Sequence, residues 1–226
     1  ALATDAETLT SFGSDGFTVG NNVKVNTNTE DYVAWCFKAG NTSSSNTDGS
    51  ITSTISVNST AGISIGTFTG TGSNATIGHG LSSAPDFILV GNLSTTDTDR
   101  VYHSGNTSAP ETDYLIWSTN AATADDATIW NDTAPTTSVF SVGSAAAVNG
   151  STNTMFFIAF HDVEGFSKVS GSYTGNGNAD GPFLYTGHFP MLTIFKKTSA
   201  TRHWGWYDSV RETYNPFGSE FETSRS

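Results

Sequence analysis

The sequence predicts an all-β protein with two antiparallel β-sandwich units, jelly-roll or lectin-like, built from an internal repeat. Three observations predict it. The first is self-similarity. Phe17–Phe37 matches Phe140–Phe160 without a gap at an offset of 123, with 7 of 21 positions identical, among them Gly20/Gly143, Val25/Val148, Asn26/Asn149 and Thr29/Thr152. Phe68–Ser104 matches Tyr173–Ser209 at an offset of 105 in 8 of 37 positions, among them Gly70/Gly175, Pro85/Pro190 and Tyr102/Tyr207. These are turn glycines, prolines and strand positions, the residues that a shared backbone demands. The second is composition: Thr, Ser, Gly and Asn dominate, and charged residues are only 13%. Those residues are mediocre helix formers and good turn and strand formers. The third is spacing. Short apolar runs separated by turn residues recur every 8–15 positions, the pattern of a sandwich or jelly roll.

The repeat divides the chain. Residues 62–163 read as one complete sandwich. Residues 1–61 and 164–226 read as complementary half-repeats, expected to form a second sandwich together or to pair with neighbouring subunits. Either half alone would expose an apolar face.

Taken in order, residues 1–16 are polar and end in the turn Gly13-Ser14-Asp15-Gly16. Phe17–Val19 and Val23–Val25 read as strands of a hairpin turning at Gly20-Asn21-Asn22. Tyr32–Phe37 and its counterpart Met155–Phe160 are nearly continuous apolar runs, as expected of strands covered on both faces. Cys36, the single cysteine, is therefore expected as a small buried core residue, and no disulfide can form within the chain. Asn41–Ser50 reads as a surface loop. Ile51–Val57 alternates apolar and polar residues, the period of a half-buried strand near an edge. Gly62–Phe68, Ala75–Ile77, Phe87–Val90, Val101–His103, Tyr114–Ser118, Ile129-Trp130 and Val139–Val142 supply the remaining strands of the complete copy. Ala121–Ala127 reads as a loop or short helix. Phe166–Tyr173, Phe183–Tyr185, Met191–Phe195 and Trp204–Tyr207 repeat the opening strands, and the tail 218–226 is polar.

Composition also excludes functions. The formal charge is −12. Phosphate-directed nucleic-acid binding needs clustered Lys and Arg, so no nucleic-acid partner is expected. An anionic membrane surface is disfavoured for the same reason, and no run of about 18 apolar residues predicts a membrane helix. Residues 1–5 have neither the basic region nor the apolar core of an intact signal peptide, and the lack of disulfides fits cytosolic synthesis.

Chemistry is sparse. His79, His103, His161, His188 and His203 show no metal-ligand spacing, and the two Asp pairs, 97/99 and 125/126, do not match a calcium loop. His161-Asp162 with Glu164 offers a cation site or, as the stronger reading, a loop hydrogen-bond network. No Gly-x-Ser-x-Gly elbow is present. No catalytic residue, metal ligand set or cofactor is assigned, and the chain is not expected to be an enzyme. Trp204, Trp206 and Tyr207 are the candidate glycan-binding residues, because aromatic rings stack on sugar faces. In a strand Trp204 and Trp206 share one face, and core packing is the stronger reading of that face. Seven sequons, at Asn41, Asn58, Asn74, Asn92, Asn106, Asn131 and Asn149, carry little weight in so Ser/Thr-rich a chain.

Several stretches carry a resemblance: Tyr32–Gly40, Asn46–Thr54, Gly78-His79-Gly80-Leu81, Trp130–Thr136, Val163–Lys168, Ser172–Phe183 and Tyr214-Asn215-Pro216. Together they resemble a family of tandem-repeat virion proteins of marine bacteriophages. The chain departs from that pattern at Thr95–Arg100 and after Phe217. The resemblance implies a virion structural protein, a surface-exposed tail-fibre or decoration module made in the host cytoplasm and displayed on capsid or tail. It implies other virion proteins and further copies of itself as partners, with host surface glycan as a further candidate. The alternative readings are a carbohydrate-binding receptor-recognition module and, behind it, a glycan depolymerase. A start within a repeat is expected of a longer or processed polypeptide.

Overall fold

A computed structural model describes residues 5–32, 34–209 and 221–222. The chain is all-β and splits into two compact units, residues 1–37 and 38–226. Tyr214-Asn215-Pro216 and most of the tail lie outside the described residues.

In the first unit, β1 (Leu9–Phe12) pairs antiparallel with β2 (Phe17–Val19) across the Gly13–Gly16 turn. The second expected strand, Val23–Val25, is instead a turn. The Asn22 side chain accepts from Lys24 N–H at 2.9 Å, and its carbonyl accepts from Val25 and Asn26, so the backbone curls where a strand would extend. Tyr32 and residues 34–37 are exposed and form no strand, and Cys36 is exposed rather than core. An apolar run becomes a buried strand only where the surrounding fold covers it, and these residues remain exposed.

The second unit is organised on one sheet. Its strands in chain order begin with β3 (Ser44–Asn46), β4 (Ser53–Asn58), β5 (Ile63–Thr69) and β6 (Ala75–Gly78). Next come β7 (Phe87–Asn92), β8 (Arg100–His103), β9 (Asp113–Tyr114) and β10 (Ala124–Asp125). The short helix α1 (Ala127–Trp130) precedes β11 (Val139–Val142), and α2 (Ala146–Asn149) precedes β12 (Thr154–Phe160). The antiparallel order β3-β4-β5-β12-β7-β8 places β12 between β5 and β7. Asn41–Ser50 thus contributes an edge strand rather than loop alone. Ile129-Trp130 is helical, not extended, because the Asp126 carboxylate caps Thr128 N–H at 2.9 Å.

The pleat sends Met155, Phe157 and Ala159 of β12 to one face, with Ile88 and Val90 of β7. The β6–β11 pair covers that face with Ile77, Phe140 and Val142. Phe140 and Phe157 meet edge to face at 5.2 Å. Two buried serines tie the layers together: Ser53 Oγ donates to the Gly78 carbonyl at 2.7 Å and Ser64 Oγ to the His79 carbonyl at 2.6 Å. Both hydroxyls would otherwise carry a desolvation penalty.

The sheet crosses the expected boundary at Gly62. β3 and β4 pair onward to β5, so residues 44–58 belong with the repeat they precede. The C-terminal part adds β13 (Leu192–Phe195), β14 (Gly205–Asp208) and β15 (Phe221–Glu222) as a three-stranded antiparallel sheet. The expected strands Phe166–Tyr173 and Phe183–Tyr185 join no sheet among the described residues, apart from a single bridge between Val163 and Ser167, and their aromatic rings lie largely exposed.

Local backbone patterns recur at the sequence offsets. Leu192 opposite Asp208 through Phe195 opposite Gly205 reproduces the register of Phe87 opposite His103 through Val90 opposite Arg100, shifted by 105. The flanking bond recurs too, Ser104 N–H to Asp86 carbonyl at 2.8 Å and Ser209 N–H to Met191 carbonyl at 3.0 Å. At the other offset, Asn149 Nδ2 donates to Gly143 O at 2.9 Å and Asn26 Nδ2 to Gly20 O at 2.8 Å. Thr152 and Thr29 share positive φ, 62° and 70°. A Cβ at Gly143 would lie 2.1 Å from Thr128 O, and one at Gly20 would lie 2.3 Å from Glu7 O, which explains glycine at both.

Phe157 is fully buried beneath Phe140. Phe157→Ala is expected to cost about 3–5 kcal/mol, read as a lower urea midpoint with unchanged slope.

Candidate functional site

The three aromatic candidates are built by β14 and the residue before it. Trp204 is only 4% exposed and packs with Leu89, Val101 and Leu115 on the second face of the large sheet. Its indole Nε1 donates to the Ile116 carbonyl at 3.0 Å. Trp117 lies against it at 4.8 Å between ring centroids and meets Trp206 edge to face at 5.6 Å. Trp204 is therefore core, with no ring face left for a sugar. Strand alternation turns Tyr207 to the opposite side, where it meets Phe195 at 5.7 Å. Trp206 and Tyr207 are half-buried and on different faces, so the three rings make no shared stacking platform.

The loop 117–123 is also bonded to the C-terminal part through backbone groups. Thr123 N–H donates to Thr198 O and Arg202 N–H to Asn120 O, each at 2.9 Å. Sequence reasoning missed this contact, since nothing in Ser/Thr/Asn-rich loops marks which carbonyl will be used.

The histidine and aspartate candidates are hydrogen-bond hubs. His79 is buried, with Nδ1 accepting from Leu81 N–H at 3.0 Å and Nε2 3.1 Å from Thr136 O. That pattern requires the proton on Nε2 of a neutral ring, and burial holds its pKa below the ordinary value. His103 is likewise lowered by burial, against the opposing pull of a backbone carbonyl at Val169 and the carboxylates of Asp86 and Asp162. Burial disfavours the charged Asp162 carboxylate, but Lys168, the Ser170 hydroxyl, and the Ser170 and Val169 amides outweigh it and hold the pKa well below the usual range. Its oxygens are thus occupied by the 168–170 turn. Among the described residues, no group of three or more His, Cys, Asp or Glu could hold a metal ion.

Three sequon asparagines are structural. Asn92, Asn106 and Asn149 are buried. Asn149 takes Thr71 N–H at 2.8 Å and donates to the Ser73 carbonyl at 2.6 Å, locking the 69–73 turn. Among the exposed apolar side chains are Phe183, Tyr185 and Phe189, at 89%, 76% and 78%.

Residues 1–226 match the family described as Domain of unknown function (DUF7483). The chain belongs to that family. No curated protein and no solved structure matches this DUF7483 member.

Two outcomes test this assignment of roles. Trp204→Ala is expected to lose about 3–5 kcal/mol of stability, as a core truncation does, in chemical denaturation. For His79 and His103, the folded pKa lies below the ordinary 6.5, so the unfolded chain binds protons more readily. Their contribution is complete above pH ~6.5 and is lost as pH falls through the window below it. Asp162, lowered from 3.8, adds a second loss that begins below about pH 4. Urea midpoints measured from pH 8 to pH 3 should therefore fall in two stages, the first reduced by His79→Gln.

Proposed function

We propose that this protein is a bacteriophage virion structural protein, a surface-exposed fibre or decoration module assembled from tandem β-sandwich units. One unit is the six-stranded sheet under its β6–β11 cover. The second is drawn from the repeat segments on either side. The observation that carries this reading is the recurrence of repeat backbone at both offsets: the β13–β14 register copies β7–β8, and the Asn26–Gly20 bond copies Asn149–Gly143. A chain that repeats a small sandwich, and whose polar side chains are spent on turns, suits a scaffold and display role. The net charge of −12 favours solubility on an exposed surface. The sequence resemblance to phage tandem-repeat proteins supplies the setting.

A second reading, attachment to host glycan, is favoured by Tyr185, whose ring is exposed outside the core. It is compatible with the first.

The test is quantitative mass spectrometry of purified particles of the encoding phage, with antibody labelling to locate the protein. Many copies per particle on capsid or tail are expected. Absence from intact particles sinks the virion reading. Binding on a glycan array that Tyr185→Ala abolishes would favour the attachment role.

A further inference from the structure

His161 follows the last residue of β12, and it is only 7% exposed. Its Nδ1 lies 2.7 Å from the Asp162 carbonyl oxygen. A carbonyl can only accept, so the proton sits on Nδ1, and Nε2 of the neutral ring presents its lone pair. Ser82 Oγ faces that lone pair at 3.4 Å. A serine hydroxyl beside an unprotonated imidazole nitrogen, with the other ring nitrogen held by a third group, is the arrangement that activates a nucleophile.

We propose that Ser82 and His161 form an acyl-transfer dyad that cleaves activated carboxylic esters, with Ser82 Oγ as nucleophile and His161 Nε2 as general base.

The fold holds each part in place. The Asp162 carbonyl is fixed because the rest of that residue is bound: its N–H donates to Asp86 Oδ2 at 3.1 Å, and its carboxylate accepts from Lys168 and from the Val169 and Ser170 amides. Gly62, at φ 66°, leaves room for the histidine, since a Cβ there would stand 3.3 Å from His161 Cε1 and 2.9 Å from the His161 carbonyl oxygen. On the other side, Leu81 is buried and gives its N–H to His79 Nδ1 at 3.0 Å, and Pro85 is buried. The loop between β6 and β7 is thus anchored at both ends while Ser82 itself is exposed. A 3.4 Å separation is long for a hydrogen bond, and such contacts tighten when a substrate binds. The Ser83 and Ala84 amides donate to no protein acceptor among the described residues, which leaves them as the neighbouring donors for an oxyanion. Gly80-Leu81-Ser82-Ser83-Ala84 joins two strands and has Ala where a nucleophile elbow has its second glycine, so no sequence motif marks it.

The reaction balances with water as the only other reactant. As Oγ bonds the ester carbon, its proton passes to Nε2. The C–O bond to the alcohol then breaks, and the leaving alkoxide takes that proton. Water attacks the acyl-serine, again giving a proton to Nε2, and Ser82 Oγ recovers it as the acid leaves. A backbone carbonyl supports the imidazolium less than a carboxylate does, so activated esters rather than amides are the substrate class. Ser83 and Ala84 put only small side chains next to the hydroxyl in sequence, which suits short acyl groups. This inference does not rest on the virion reading.

The full chain is incubated with a fluorophosphonate, which traps an activated serine as a phosphonyl ester with loss of fluoride, and the adduct is mapped by peptide mass spectrometry. One adduct is expected, on Ser82, and none once the chain is unfolded in urea. Ser82→Ala should keep the parent urea midpoint and lose the adduct, while Ser83→Ala should keep both. His161→Asn retains an amide N–H for the Asp162 carbonyl but has no Nε2, and labelling should slow about 100-fold, the low end of general-base catalysis. Release of p-nitrophenolate from p-nitrophenyl acetate should rank the variants in the same order. Should His161→Asn fail to fold, the parent chain and the two serine variants decide the question. No adduct, an adduct on Ser83, labelling that persists in urea, or an unchanged rate in folded His161→Asn overturns the proposal.

Discussion

The insertion of β12 between β5 and β7 is the constraint on which the rest of the second unit depends. Every residue of Thr154–Phe160 has a partner on the β5 side, and from Met155 onward on the β7 side as well. Because a strand alternates faces, this one placement fixes what both faces of the sheet must do. Met155, Phe157 and Ala159 require the β6–β11 cover, while Phe156 and Ile158 require the tryptophan cluster on the other side. A register slip of one residue would exchange the two sets and expose both. The strand is thus specified by side-chain packing on two faces and by hydrogen bonds along two edges.

The polar residues that fill the sequence serve a complementary purpose. A chain this poor in charge must still satisfy the backbone of many turns. Asn149, Asp162, Ser53 and Ser64 do so with short side chains that reach neighbouring amides and carbonyls. Their hydrogen bonds are committed to the fold, which is why residues that look like modification or metal sites in the sequence turn out to hold loops. The same economy explains the recurrence at the offset of 123: an Asn closes a turn onto a glycine carbonyl in both places.

Much of the strand pattern was legible. The apolar runs at Gly62–Phe68, Phe87–Val90, Val139–Val142 and Met155–Phe160 all lie in strands, because each is long enough to be covered on at least one face. Val23–Val25 and Ile129-Trp130 were not legible, since single side-chain caps at Asn22 and Asp126 curl the backbone over too few residues to leave a period. The candidate site was legible in part. Trp204 and Trp206 do share one side, but which ring would be sealed by Trp117 depended on a contact 87 residues away in the chain.

Sequence by itself determined the all-β class, because it follows from local turn chemistry and from period-two patterning. Tertiary structure decided what a given apolar run becomes. Met155–Phe160 and Tyr32–Phe37 are near equivalents in sequence, yet one is the central strand of a sheet and the described part of the other lies exposed. The physical reason is that a strand's hydrogen bonds and burial belong to its neighbours, and no sequence states which neighbours will be present.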